Sequence, residues 1–197
     1  MMDPNTYTSL DSQPKGFFEN LGAHVIDFIQ TLVVFGAIFA LVYLFVAQFH
    51  KVSGNSMFPT YHNGDYLITE KISYKLGNPR RGDVIVLKNP RDESQDFIKR
   101  VIAIPGDTIK IEGQSVFING GQLEENYLPS QTPTHSGAFL KDGDPVKAGV
   151  DQYFVLGDNR DHSSDSREWG AVTKEKIIGK AFFRYWPPQS MGLLLDK

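Results

Sequence analysis

The chain has 197 residues, a formal net charge of −3 and no cysteine. The missing cysteines exclude disulfides, thiolate nucleophiles and cysteine metal sites, and the negative charge argues against nucleic acid as the main partner. The length fits one domain with an appendage. The 18 glycines and 11 prolines are typical of a chain with short strands and many turns.

The chain begins with a polar segment that is followed by an apolar one. Residues 1–24 have a mixed composition that includes Pro4 and Pro14, which predicts a short, mostly disordered tail. Within residues 25–50, the run from Phe28 to Phe49 has no charged side chain. As a helix rising about 1.5 Å per residue it would span roughly 33 Å, against about 30 Å for the hydrocarbon core of a bilayer. We therefore predict one transmembrane helix.

Two other interpretations of the apolar run fit the sequence less well. A buried helix of a soluble protein usually has a polar face, and a cleavable signal peptide is shorter and starts with a strongly basic segment. The orientation of the helix does not follow from charge, because Lys15 is the only lysine or arginine before the run and Lys51 follows it directly.

Residues 51–197 are predicted to form a β-rich domain. Short runs rich in β-branched and aromatic residues alternate with turn signals such as Asn63-Gly64-Asp65 and Pro105-Gly106-Asp107. Strands are predicted at residues 65–69, 83–87, 97–104, 108–111, 115–118, 153–156 and 181–186. This spacing favours a mainly β fold, a coiled antiparallel β-barrel or sandwich. Residues 124–150 have weak periodicity and are predicted to be a loop-rich insertion.

A candidate nucleophile lies directly after the apolar run. Ser56 is placed in a turn between Gly54 and Pro59. A serine hydroxyl is a weak nucleophile until a base removes its proton, so the chain must also supply a base. Without one, the simpler interpretation of Ser56 is an ordinary turn serine.

Lys99 is the candidate base. It lies among Phe97, Ile98, Val101 and Ile102, and burial in such an apolar setting lowers the pKa of a lysine towards neutrality. A free lysine has a pKa of about 10.4, so only about one in 2,500 is neutral at pH 7. The alternative interpretation is a solvated lysine on a strand.

Three motifs in this order carry a family resemblance. They are Gly54-x-Ser56-Met57-x-Pro59-Thr60, then Lys99-Arg100-Val101 with Pro105-Gly106-Asp107 shortly after, and then the segment from Gly157-Asp158-Asn159-Arg160 through Ser163 and Asp165-Ser166-Arg167 to Gly170. Together with the apolar run before them, they make the chain similar to the bacterial type I signal peptidases. These are membrane-bound Ser/Lys proteases that remove signal peptides from exported preproteins. The resemblance covers residues 28–187.

The resemblance implies roles for individual residues. Ser56 would be the nucleophile and Lys99 the general base, with Ser163 orienting the lysine. The residues expected to support the site are Asp158, Arg160, Asp165 and Arg167. The Ser56 backbone N–H would bind the oxyanion. Some members of the family add a serine hydroxyl at the position of Gly54, so that side-chain donor is absent here and a second backbone N–H is expected instead.

The resemblance also implies cleavage after Ala-x-Ala-like sites by recognition of an extended peptide. The positions that match shallow apolar substrate pockets are Met57, Tyr61, Leu67, Phe97 and Ile98. Ordinary core packing is the alternative interpretation of each. His162 could suggest a Ser-His-Asp triad, but the family motif tolerates other residues there. We expect no cofactor and no metal site.

The expected partners are the signal peptides of exported preproteins, the lipid bilayer and the export translocon, without nucleic acid. The resemblance implies a single-pass protein of the cytoplasmic membrane with its catalytic domain on the outer side. Two rival functions remain open at this point. One is a self-cleaving repressor with a Ser/Lys dyad, which would need a DNA-binding helical domain. The other is a catalytically inactive, membrane-anchored peptide-binding module of the export machinery.

Overall fold

A computed structural model of the chain describes residues 17–130 and 132–194. The chain divides into two compact units, residues 1–42 and residues 43–197. The first unit contains most of helix α1 (Phe17–Phe45). Its segment His24–Phe45 is long and apolar enough to cross a membrane. The described side chains from Leu21 to Phe45 are exposed, which is the pattern expected of a helix that contacts lipid on all sides.

The helix differs from the predicted span at both ends. Residues 1–16 of the predicted tail lie outside the described residues, while residues 17–24 are helical rather than part of a disordered tail. Adding turns to an existing helix costs far less than starting one, so the apolar segment carries the helix back to Phe17. At the other end, the helix stops at Phe45 because Ala47–Lys51 pair with a later strand.

The second unit is built mainly from antiparallel strands. The strands are Ala47–Lys51 (β1), Tyr66–Glu70 (β2), Val84–Lys88 (β3), Asp96–Ala103 (β4), Thr108–Glu112 (β5), Ser115–Ile118 (β6), Gly121–Gln122 (β7), Val146–Lys147 (β8), Gln152–Leu156 (β9), Val172–Thr173 (β10), Ile177–Trp186 (β11) and Gly192–Leu193 (β12). Two short helices accompany them, Ile72–Leu76 (α2) and Ser166–Trp169 (α3). The predicted mainly β, antiparallel fold is confirmed.

The strands form two sheets. The larger has the order β1-β2-β11-β3-β4-β9-β10, with β12 also paired to β11, and the smaller has the order β7-β6-β5-β8. Register shifts interrupt β11 against both of its neighbours and β4 against β9. Such bulges bend a strand and increase its twist, so the larger sheet curls into a half-barrel.

Alternating side chains explain where the core lies. In β2, Leu67 and Thr69 are fully buried while their neighbours are partly exposed, as the two-residue period of a strand requires. β3 and the second half of β4 are buried on both faces. The described part of residues 124–150 contains β8 together with turns, bends and irregular backbone, and Leu140 anchors this segment in the core with no exposed surface.

Candidate active site

The predicted nucleophile and the predicted base meet in the second unit. Ser56 lies in the turn that links β1 to β2, and Lys99 lies in β4. The Lys99 Nζ atom is 2.9 Å from Ser56 Oγ and 2.9 Å from the carbonyl oxygen of Ile98. A proton can therefore pass directly between the hydroxyl and the amine.

Burial sets the acidity of Lys99. The residue is only 3% exposed, and its amine lies 5.0 Å from the centre of the Phe97 ring. Loss of hydration lowers the pKa of Lys99 from 10.5 to about 8, although the carboxylates of Asp165 and Asp158 act in the opposite direction. Arg167 adds a repulsion that also lowers this pKa. The amine is thus poised to act as a base near neutral pH.

Each of the two carboxylates near Lys99 is paired with an arginine. Asp158 accepts two hydrogen bonds from Arg100, of 2.9 and 2.7 Å, and Asp165 accepts from Arg167 at 2.8 and 2.9 Å. Both carboxylate side chains are fully buried. Because each negative charge is neutralised locally, neither carboxylate holds the lysine fully protonated.

Arg160 does not pair with Asp158 or Asp165 but with residues of the 124–150 segment. Its guanidinium donates to Glu125 and to the Thr134 hydroxyl, and its Nε atom donates to the Gly157 carbonyl at 3.0 Å. Glu125 and Thr134 belong to the segment that was predicted as a loop-rich insertion. Arg160 therefore ties that segment to the Gly157–Gly170 motif.

The third motif also holds the turn that carries Ser56. The Asn159 backbone N–H donates to the Ser56 carbonyl at 3.0 Å, and the Asn159 side chain donates to the Asn55 carbonyl at 3.0 Å. Asp165 accepts a 3.0 Å hydrogen bond from the Gly157 N–H. These bonds connect the nucleophile turn to the motif that surrounds the lysine.

Ser163 does not make the predicted hydrogen bond to Lys99. Its Oγ atom is buried and has no hydrogen-bond partner among the described residues. It instead lies against Gly157, at the place where a Cβ atom on residue 157 would be. The Ser163 hydroxyl is close to the turn that carries Ser56, but within residues 17–130 and 132–194 the Lys99 amine makes hydrogen bonds to Ser56 and Ile98 only.

The close packing at Gly157 gives a testable prediction. An added Cβ would collide with Ser163 Oγ and with the Ser56 carbonyl oxygen, both nearer than Cβ atoms normally approach other atoms. We expect Gly157→Ala to destabilise the fold by about 1–3 kcal/mol and to lower kcat/KM by roughly 100-fold, because a 1 Å displacement of a reacting group costs about that much. Chemical unfolding and peptide cleavage would measure both effects. Gly192→Ala is the control, since Gly192 has no atom within 4 Å of the added Cβ, and equal behaviour of the two variants would contradict the prediction.

The backbone around Ser56 supplies one candidate oxyanion donor. The Ser56 N–H donates to no acceptor among the hydrogen bonds of the described residues. Gly54 has φ +98°, a conformation that glycine adopts without strain, but its N–H donates to the Asn63 side chain at 3.0 Å. Gly54 N–H is therefore already engaged, whereas the Ser56 N–H is available to a substrate oxygen.

A cleft of about 320 Å³ lies beside Ser56 and Lys99. Of the residues predicted to line substrate pockets, Leu67, Phe97 and Ile98 border this cleft, although Leu67 has no exposed surface and belongs to the same core cluster as Met57 and Tyr61. Met57 and Tyr61 do not line it and are instead buried at 1% and 2% exposure in a core cluster. Their apolar side chains follow the alternative interpretation, core packing beneath the nucleophile turn.

Sequence reasoning missed several residues that shape the site. Arg100 was not assigned a role, and its pairing with Asp158, 58 residues away, has no signal in the neighbouring residues. Thr60 donates to Asp158 at 2.5 Å. His50 and Asp96 line the cleft, and neither carries a sequence signal for this because their proximity depends on the curl of the sheet.

Comparisons with known proteins agree on one family. A family model described as signal peptidase, peptidase S26, matches residues 25–186. The chain is 44% identical over 158 residues to a probable signal peptidase I-2 of Synechocystis sp., covering 77% of this chain and 69% of the relative. It is 38% identical over 200 residues to a signal peptidase I of Leptolyngbya laminosa, covering 98% and 95%.

A solved structure of a signal peptidase I from Enterococcus faecalis V583 is similar at 30% identity with a TM-score of 0.44, covering 52% of this chain and 95% of that one. The match of the family model spans most of the chain, including all three motifs around the dyad. The chain therefore belongs to the signal peptidase family, peptidase S26.

Proposed function

We propose that this chain is a membrane-anchored serine endopeptidase that removes signal peptides from exported preproteins, with Ser56 as nucleophile and Lys99 as general base. The observation that carries the proposal is the 2.9 Å contact between Lys99 Nζ and Ser56 Oγ in a buried setting. The family whose model matches residues 25–186 is that of signal peptidases, which favours this function over a self-cleaving repressor.

In the proposed first step, Ser56 Oγ attacks the carbonyl carbon of the scissile bond while neutral Lys99 takes the hydroxyl proton. The carbonyl oxygen becomes an oxyanion, which the Ser56 N–H stabilises by a hydrogen bond. The intermediate then collapses, the C–N bond breaks, and Lys99 gives its proton to the leaving amine of the mature protein.

In the second step, water attacks the acyl-enzyme. Lys99, neutral again, takes a proton from this water, and a second tetrahedral intermediate forms at the same oxyanion donor. When the bond to Ser56 breaks, the proton returns to Oγ and the signal peptide leaves with a new carboxylate. The same lysine thus serves as base and acid in turn.

The pH dependence of cleavage follows from the lowered pKa of Lys99. Only the neutral amine can accept the serine proton, so activity rises as pH rises through this pKa and levels off above it. With a pKa of about 8, we expect kcat/KM to increase about tenfold per pH unit below pH 7 and to reach a plateau above roughly pH 8.5. A plateau reached only near pH 10 would mean that the lysine has an ordinary pKa.

The free edges of two strands support binding of an extended substrate. β1 is an edge strand of its sheet. Asp96 to Ile98 pair with β3 on one side, while β9 pairs with β4 only from Arg100 onwards. An extended peptide can therefore add to these edges through main-chain hydrogen bonds. Apolar residues that border the cleft beside Ser56, among them Phe97 and Ile98, suit the small apolar side chains of an Ala-x-Ala site.

Helix α1 supports anchoring in the membrane. Its exposed apolar segment has the length of a bilayer core. In this proposal the protein crosses the cytoplasmic membrane once, and the β-rich unit acts on the outer side, where preproteins emerge from the export translocon.

The deciding experiment compares the wild type with Ser56→Ala on a preprotein that bears an Ala-x-Ala site. Both proteins are purified in detergent, and the product is identified by mass spectrometry. We expect the wild type to cut after the second alanine and Ser56→Ala to lose at least about 1,000-fold in rate. Equal cleavage by both would refute Ser56 as the nucleophile, and no cleavage by a folded wild type would favour an inactive peptide-binding module.

A further inference from the structure

Two lysines hold the last turn of helix α1. Lys71 Nζ donates to the carbonyl oxygens of Tyr43 and Leu44 at 3.3 and 3.5 Å, and Lys75 Nζ donates to the carbonyl oxygen of Phe45 at 3.2 Å. The Lys71 ammonium also lies 5.8 Å from the centre of the Tyr43 ring, and that of Lys75 lies 4.7 Å from the centre of the Phe45 ring. All five residues belong to the second unit.

The sequence of α1 does not supply such cations itself. Its last turn contains no basic residue, and the last four carbonyls of any helix have no partner within the helix. These carbonyls carry a partial negative charge that a lysine stabilises, and apolar surroundings make an unpaired carbonyl more costly. Lys71 and Lys75 therefore supply the partners that the end of the apolar segment lacks.

The pairing of β1 with β2 explains why the lysines reach this turn. The two strands run antiparallel with Ala47 opposite Glu70, so the chain leaves β2 beside the point where it entered β1. The Lys71 backbone N–H donates to the Val46 carbonyl at 2.9 Å. The Glu70 carboxylate accepts from the Ser73 N–H at 3.0 Å and holds the start of α2 there. Side chains four residues apart then lie on one side of the short helix.

Two neighbouring cations are unfavourable unless another group offsets their repulsion. Burial and the charge of Lys75 lower the pKa of Lys71. In the described part of the chain, the two ammonium groups contact carbonyl oxygens and aromatic rings rather than carboxylates. The carbonyl end of α1 is therefore the group that offsets the repulsion between them.

We propose that Lys71 and Lys75 are positioning residues, which hold the last turn of α1 on α2 and thereby set where Ser56 stands relative to the membrane surface. The inference rests on the proposed function and adds to it how the enzyme meets a preprotein that is itself held in the membrane. Neither lysine lines the cleft beside Ser56, so neither takes part in the chemistry.

The connection between the helix and the nucleophile explains why this contact matters. Val46 is the single residue between α1 and β1, and β1 is paired with β2 along its whole length. Beyond β1, the Val52 N–H donates to the Asp65 carbonyl at 2.8 Å, so the chain towards Ser56 stays held. Without the two lysines, β1 and the site would pivot at Val46. A free peptide can follow a pivoting site, whereas a cut site held in the membrane cannot.

The test compares a preprotein and a short peptide that share the same Ala-x-Ala cut site. The enzyme and the preprotein are reconstituted together in phosphatidylcholine vesicles, and the peptide is offered free in detergent solution. We expect the double variant Lys71→Met with Lys75→Met to lower kcat/KM for the preprotein by roughly 10-fold, because displacement of a reacting group by about 1 Å already costs more than this. The same variant should cleave the free peptide within about twofold of the wild type.

Matched variants separate hydrogen bonding from charge. Arginine at both positions keeps the charge and the donors, so Lys71→Arg with Lys75→Arg should keep at least about half of the wild-type rate on the preprotein. Lys141→Met with Lys147→Met removes two lysines from exposed positions and should leave both substrates unaffected. Lys75→Met alone should give a smaller loss on the preprotein, and it serves if the double variant does not fold.

Spin labels measure the same contact without any cleavage. The chain has no cysteine, so Leu44→Cys and Val150→Cys can each carry one label. Leu44 is 60% exposed on the last turn of α1, and Val150 is 91% exposed elsewhere in the second unit. We expect the distribution of distances between the labels, measured by pulsed EPR, to broaden when Lys71 and Lys75 are replaced by methionine. It should stay unchanged when Lys141 and Lys147 are replaced.

The outcomes separate this inference from the function on which it rests. An equal loss on the preprotein and the free peptide would refute the positioning role, as would an unchanged distance distribution. A loss that occurs only in vesicles with anionic phosphatidylglycerol would also refute it, because the lysines would then act by attracting lipid. If folded wild type cleaves neither substrate, the proposed function is overturned, and the distance distribution still decides whether the lysines hold the end of α1.

Discussion

We expect Lys99→Met to abolish cleavage and at the same time to make the folded protein more stable at pH 7. The activity should fall by at least about 1,000-fold, because methionine cannot take the proton of Ser56. The stability should rise because the buried amine, which is only 3% exposed, is costly to keep charged, whereas methionine fills similar space without a charge.

The size and pH range of the stability gain follow from the pKa of Lys99. Its folded pKa of about 8 lies below the ordinary value of 10.5, so the unfolded chain binds the proton more tightly. Below pH 8 the amine is protonated in both states and the penalty is complete, about 3 kcal/mol at about 1.4 kcal/mol per pKa unit. Between pH 8 and 10.5 the folded state loses the proton first, and the penalty shrinks.

Chemical unfolding of the detergent-solubilised protein at pH 7 and pH 10 would measure this effect. Lys99→Met should be more stable than the wild type at pH 7 and show a smaller advantage at pH 10. Lys147→Met is the matched control, because Lys147 is exposed and its removal should change stability by less than about 0.5 kcal/mol at either pH. Cleavage of preproteins by Lys99→Met would refute the assignment of Lys99 as the general base.

The second large effect is expected at the buried pair of Arg100 and Asp158. Their side chains are 4% and 0% exposed, and two hydrogen bonds join them. Arg100→Met leaves the Asp158 carboxylate buried, and among the described residues the Thr60 hydroxyl is then its one remaining side-chain donor. We expect a loss of about 3–5 kcal/mol in the free energy of unfolding, because an unpaired buried charge is costly.

A double-mutant cycle distinguishes pairing from packing. Arg100→Met leaves the Asp158 carboxylate without its ion-pair partner, and Asp158→Asn removes that charge. The double variant should therefore lose much less unfolding free energy than the sum of the losses in the two single variants. Lys110→Met breaks a more exposed pair with Glu112 and should cost less than about 1 kcal/mol. Additive losses in the cycle would contradict a direct interaction.

The same variant should also change catalysis. Without Arg100, the negative charge of Asp158 acts on Lys99 with less compensation and raises the pKa of the amine. The rise of kcat/KM with pH should therefore move to higher pH in Arg100→Met. A purely structural defect would lower the amplitude of the profile without moving it.

Local sequence patterns predicted most of the strands, because the alternation and the turn signals that mark a strand involve only a few neighbouring residues. Six of the predicted strands match β2, β3, β4, β5, β6 and β9 to within one residue at their ends. β1 was missed, since Ala47–Lys51 continue the apolar run and become a strand only by pairing with Tyr66–Glu70. The strand state of such a segment depends on a partner that lies far away in sequence.

The side chains of the site also fall into two groups, those that local motifs predicted and those whose contacts depend on distant segments. Ser56 and Lys99 were identified from their motifs, but the pairing of Asp158 with Arg100, 58 residues away, has no local signature. Met57 and Tyr61 have the composition of either a pocket or a core, and burial assigns them to the core. The Ser163 hydroxyl matches the motif, yet it lies against Gly157 and has no hydrogen-bond partner among the described residues.

The sequence by itself determined the class of fold and the family and predicted the two residues that we propose as the dyad, because strand periodicity, turn signals and compact motifs are properties of adjacent residues. The tertiary structure decided the rest. The curl of the larger sheet brings His50 to Asp96, burial lowers the pKa of Lys99, and two arginines neutralise the carboxylates beside it. Burial and charge pairing arise only when distant segments pack together, and no local pattern encodes them.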